Sequence, residues 1–131
     1  MQVNMSTNYS NQQNFGMALK SSDVVNKALR TRITKPVDAQ ELSALVEQAS
    51  KNDIVDIHLF ADDKGKLRAN VFTRESSFDN PNSFLRHYSE GFFGGPVKFI
   101  KKLVNIADAE AEKIQARCDI NELNDTLNKM L

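Results

Sequence analysis

The chain has 131 residues, 40% hydrophobic and 26% charged, and its 17 basic and 17 acidic side chains cancel to a formal charge of zero. That size matches one domain with one core, which needs neither a disulfide nor a metal to hold together. Neutrality argues against a protein built to grip a phosphate backbone, which carries a basic excess, and the single cysteine, Cys118, excludes an intrachain disulfide and an intrachain thiolate cluster.

A lone cysteine suits a reducing, cytoplasmic setting, and no stretch approaches the roughly 18 apolar residues of a membrane span. The charge is blocked along the chain. Residues 1–37 carry five basic groups against one acidic, 38–63 one against seven, 64–104 eight against three, and 105–131 three against six. Such blocks either steer a charged partner or neutralise one another on folding.

Residues 1–13, rich in Asn, Gln and Ser, are too polar to offset the entropy of ordering and read as a flexible tail; residues 14–131 read as one domain. Phe15, Met17 and Leu19 alternate with Gly16 and Ala18, the period of a short strand. Ser21-Ser22-Asp23 offers cap oxygens to a helix whose apolar stripe is Val25, Leu29 and Ile33, and Pro36 ends that helix or starts the next turn. Asp38 and Glu41 have the spacing of a capping box. Leu42, Leu45, Val46 and Ala49 then form one face of a second helix.

Residues 54–61 (IVDIHLFA) and 67–73 (LRANVFT) flank the turn Asp62-Asp63-Lys64-Gly65-Lys66 and read as a β-hairpin. Val55, Ile57 and Leu59 point to one face; Asp56, His58 and Phe60 point to the other. Asn80-Pro81 resembles a helix start, with a short helix through Phe84, Leu85 and Tyr88 that stops at Gly91. Pro96 opens a long helix with the stripe Val97, Ile100, Val104, Ala107, Ala111 and Ile114. Asp119 with Glu122 repeats the cap spacing before Ile120, Leu123, Leu127 and Met130, which predicts a break near Cys118-Asp119 and disfavours a continuous coiled coil.

The fold class is therefore α+β: a small antiparallel sheet of about three strands, including the 54–61/67–73 hairpin, covered on one face by helices, with a helical C-terminal third. No residue pattern assembles chemistry. His58 and His87 are the only histidines, in no metal-ligand spacing. The acids Asp53, Asp56, Asp62 and Asp63 lack the spacing of a calcium loop, so no metal and no cofactor is expected. Cys118 lies between Arg117 and Asp119 at a helix end, where an acid and the macrodipole oppose a thiolate.

The least ordinary segment runs from Arg86, His87 and Tyr88 through Phe92, Phe93, Gly94 and Gly95 to Lys98. Either it is a glycine-rich connection whose phenylalanines plug the core, or those rings are exposed and mark a recognition surface. The latter underlies the leading expectation, a non-catalytic protein-interaction or regulatory module with a protein partner and a homo-oligomer through residues 97–131. One rival is a small hydrolase or transferase using His87, Tyr88 and Glu90 beside an anion site at the Gly94-Gly95 helix start. The other is a nucleic-acid binder that merges Lys20, Lys27, Arg30, Arg32 and Lys35 with Lys98, Lys101 and Lys102, which the neutral total disfavours.

Overall fold

The computed structural model describes residues 12–14, 18–75 and 83–131, and these form five strands and three helices. The order is β1 (Gln12–Asn14), β2 (Leu19–Ser22), α1 (Asp23–Arg32), α2 (Pro36–Ser50), β3 (Val55–Ala61), β4 (Leu67–Thr73), β5 (Leu85–Ser89) and α3 (Gly95–Lys129). The strands form one sheet in the order β1-β2-β3-β4-β5. The α+β class stands, but the sheet is mixed. β2 runs parallel to β3 with Leu19 opposite Ile57, and the other neighbours are antiparallel. A parallel neighbour requires a crossover, and α1 and α2 supply it.

Several elements follow local chemistry. Ser22 has extended backbone, and its hydroxyl accepts the Val25 N–H at 3.4 Å, which caps α1. Val25 and Leu29 of the predicted stripe are buried. The hairpin is as predicted, with Ile57 opposite Val71 and Leu59 opposite Ala69. Its turn is closed by the Asp62 carboxylate, which accepts the N–H groups of Lys64 and Lys66, both at 2.9 Å. Gly65 takes the φ of 81° that the turn needs.

Four expectations are corrected. The strand sought at Phe15–Leu19 begins only at Leu19 and runs to Ser22; Phe15 and Met17 lie outside the described residues. The Asp38/Glu41 capping box does not form. Pro36 occupies the first turn of α2, with Lys35 as cap. The fixed φ and missing donor of proline suit that position, so the helix starts three residues early and Asp38 sits inside it. The segment read as a short helix through Phe84, Leu85 and Tyr88 is strand β5, because the outer edge of β4 offers it a full ladder with Asn70 opposite His87. The Asn80-Pro81 helix start lies outside the described residues. Finally, α3 runs unbroken for 35 residues through Cys118-Asp119. No Gly or Pro occurs from Val97 to Leu131, so nothing interrupts propagation, and the Asp119 carboxylate accepts from Gln115 Nε2 at 3.0 Å instead of capping.

The core lies between one sheet face and the helices. Val55, Ile57 and Leu59 of β3 and Leu67, Ala69 and Val71 of β4 meet Ile100, Leu103 and Val104 of α3, with Leu45 and Ala49 of α2 completing the cluster. Asn52 ties the layers together. Its Oδ1 accepts the N–H groups of Ile54 and Val55 at 3.0 and 2.9 Å, and its Nδ2 donates to Asp108 of α3 at 3.3 Å. Among the described residues, the helices pack on this face and none on the opposite one. Among the described residues no helix is long and apolar enough to cross a membrane.

Candidate interaction surface

Strand alternation decides where the candidate residues go. On β5, Arg86 stands opposite Val71 and Tyr88 opposite Ala69, on the helix side of the sheet; His87, opposite Asn70, is on the open side. The Tyr88 ring carries the Lys102 ammonium of α3 at 5.7 Å from its centroid. The Arg86 guanidinium lies 5.7 Å over the Phe84 ring. His87 donates from Nδ1 to Asn70 Oδ1 at 2.8 Å. The register continues this row as Lys20, His58, Asn70, His87 across four strands. His58 meets Phe72 edge to face at 4.7 Å. Burial, then the charge of Lys20, holds its imidazole below the usual histidine range.

The chain leaves β5 through Glu90, which is buried. Both its oxygens accept from Arg32 of α1, Nη1 and Nη2 each at 2.6 Å, and Oε1 also accepts the Leu67 N–H at 2.9 Å. The corner that follows is therefore anchored at its base. Beyond it, Phe92 and Phe93 are 96% and 94% exposed. They do not plug the core: Glu90 turns inward at the end of the ladder, and the next residues turn out. The Lys66 ammonium from the hairpin turn sits 5.5 Å from the centroid of the Phe92 ring, a cation–π contact.

Gly94 then caps α3 with φ 100° and ψ −19°, followed by Gly95 at φ 74° and Pro96 in the first turn. At Gly94 an added Cβ would meet Lys98 Cδ at 2.6 Å. Gly94→Ala is expected to destabilise the fold by about 1–2 kcal/mol, the cost of holding an L-residue in that region. Chemical denaturation measures this, and an unchanged midpoint would contradict it.

The eight candidate residues thus fall into groups. Phe92, Phe93, Gly94, Gly95 and Lys98 form the corner. Tyr88 joins its rim through Lys102, one turn beyond Lys98. Arg86 is further along the β5 edge, and His87 is on the other face. Two contributors lie outside the segment from Arg86 to Lys98. Lys66 is brought in only by the hairpin, and Arg32 pairs with Glu90 across 58 residues; no local pattern marks either.

Neither a protein-family model, nor a curated protein, nor a solved structure matches the chain.

The groups weighed for catalysis are scattered. Cys118 lies on α3, across the sheet from both imidazoles. Asp56, at the start of β3, accepts from Arg74 Nε and Nη2 at 3.0 and 2.8 Å, while Asp62 closes the turn beyond the other end. Among the described residues no group of three His, Cys, Asp or Glu side chains is placed to hold a metal ion. Glu90, the acid of the rival enzyme reading, is already saturated by Arg32 and the Leu67 amide. A cavity of about 370 Å³ between α1 and α2, lined by Leu29, Ile33, Ala39 and Leu42 beside Asn26 and Arg30, is mainly apolar and holds none of the eight candidate residues between Arg86 and Lys98.

Proposed function

We propose that the protein is a non-catalytic interaction module, acting in the cytoplasm, that binds a protein partner through the Phe92–Phe93 corner. The observation that carries this is two adjacent phenylalanine rings, each more than nine-tenths exposed, on a corner anchored by the Arg32–Glu90 pair. Aromatic side chains are the usual anchors of interface energy, and solvating two of them has no role in the fold. Lys66 beside Phe92 and Lys98 at the helix start give the corner a basic rim. The partner that fits is an apolar pocket edged by carboxylates. The anchored base means little conformational entropy is lost on docking.

Nucleic acid is a poorer fit. Arg32 is neutralised by Glu90 and Lys20 is on the opposite sheet face beside His58, so neither adds a free charge to the face that carries Lys102.

The test is capture from native lysate by the wild-type chain and by Phe92→Ser/Phe93→Ser. The variant is expected to lose a specific partner while unfolding at the wild-type temperature, because neither ring contributes to the core. Equal capture by a folded variant would refute the reading.

A further inference from the structure

The two apolar stripes of α3 point in nearly opposite directions. Val97, Ile100, Val104, Ala107 and Ile114 face the sheet and are buried. Ala116, Ile120, Leu123, Leu127 and Met130 follow with spacings of four, three, four and three. At about 100° per residue the second stripe lies about 150° around the helix from the first. The first stripe meets the domain core. Because the helix continues, the second stripe cannot reach it. Every residue from Gln115 to Leu131 is exposed, and Ile120, Leu123 and Leu127 are each about half or more exposed. This part of α3 extends about 25 Å.

We propose that this segment pairs with the same segment of a second copy as a parallel, in-register, two-stranded coiled coil. The spacing is that of alternating a and d positions, with Ile120 and Leu127 at a and Ala116, Leu123 and Met130 at d. The Ile120–Leu123 heptad has the β-branched a and Leu d that favour two parallel strands. The flanking charges agree. Glu112 falls at g and Arg117 at the following e, the positions that meet across a parallel dimer. Both are exposed, and neither is in an ion pair within its own chain among the described residues. Being five apart, they are out of reach of each other along one helix, whereas in a parallel dimer each meets the opposite charge of the second chain, twice by symmetry. The inward stripe ends at Ile114, outside the seam, so the domain stands beside the coil. The interface is separate from the Phe92–Phe93 corner and does not rest on the function proposed for it.

Sedimentation equilibrium of the full chain is expected to show a monomer–dimer equilibrium that Leu123→Asp/Leu127→Asp abolishes with the domain still folded. A monomer at all concentrations, or a dimer that survives the double substitution, would overturn the proposal. That includes the case where another segment of the same chain covers the stripe. Orientation is read in a Cys118→Ser background, where Ile120→Cys and Leu127→Cys should each form interchain disulfides. Cross-linking at only one of them would exclude the parallel register. Glu112→Arg and Arg117→Glu should each dimerise about fivefold more weakly, as expected for exposed pairs, and their mixture should form the heterodimer preferentially. Homodimers as tight as wild type, or a mixture with no preference, would remove the charge argument and the register with it.

Discussion

Glu90→Ala is expected to cost about 3 kcal/mol and to lower the unfolding temperature by about 10 °C. Glu90 is 3% exposed and accepts three hydrogen bonds from two distant parts of the chain. Removing it strands the Leu67 amide and takes the counter-ion from Arg32. The Arg32 side chain is 31% exposed and also donates to the Gly65 carbonyl at 3.1 Å, so it can turn toward water, which places the cost at the low end for a broken buried pair. Glu90→Gln keeps an acceptor for Leu67 but loses the charge, and about 2 kcal/mol is expected.

The pH dependence separates charge from packing. Burial alone would raise the Glu90 carboxyl. The Arg32 hydrogen bonds, the Leu67 amide and the charges of Arg32 and Lys66 outweigh it and hold the group below the usual carboxylate range. A carboxyl depressed by folding contributes its full stability above its unfolded value, about 4.3. That contribution is lost as pH falls through the folded value. His58, also depressed, resists protonation in the folded chain, so stability falls as pH drops below about 6.5. Denaturant midpoints measured from pH 7 to 3 should show both losses in the wild type. Glu90→Gln should keep the upper one and show a shallower lower one. A lower limb as steep as wild type would mean that the ion pair contributes nothing.

Leu103→Ala should be the more damaging change, at about 3–4 kcal/mol. Leu103 is fully buried where α3 crosses the sheet, and its removal leaves a cavity among Ile100, Val104 and β3 that rigid strands cannot close. Leu127→Ala, the same chemical change on the same helix, removes a side chain already 49% exposed and should leave the unfolding midpoint of the monomer within about 0.5 kcal/mol. Urea denaturation at a concentration below dimerisation compares the two directly. Equal losses would mean that the far end of α3 packs on the domain after all.

Much of the candidate surface could be named from the sequence but not assembled from it. The segment from Arg86 to Lys98 stands out by composition, and Gly94 does stand at a helix start. Whether Phe92 and Phe93 were core or surface had no local answer, because an adjacent pair fits either a strand end or a loop. Their exposure follows from Glu90 being drawn inward by Arg32, a partner on another element. His87 was grouped with Arg86 and Tyr88 because they are neighbours in the chain. As a strand rather than a helix, β5 sends His87 to the opposite face.

What the sequence determined by itself lies within a few residues of each position: the Ser22 cap, the hairpin with its Asp62–Gly65 turn, the inward faces of β3 and β4, and the helical period of the C-terminal third. These depend on side-chain hydrogen bonds to nearby backbone and on apolar periodicity, which act locally. The tertiary structure decided that β2 runs parallel to β3, that residues 85–89 pair with β4 instead of coiling, and that only the first stripe of α3 finds a core. Those outcomes depend on which strand edge is open, which charge is within reach and which face of a long helix finds a core, and each is settled by residues tens of positions away.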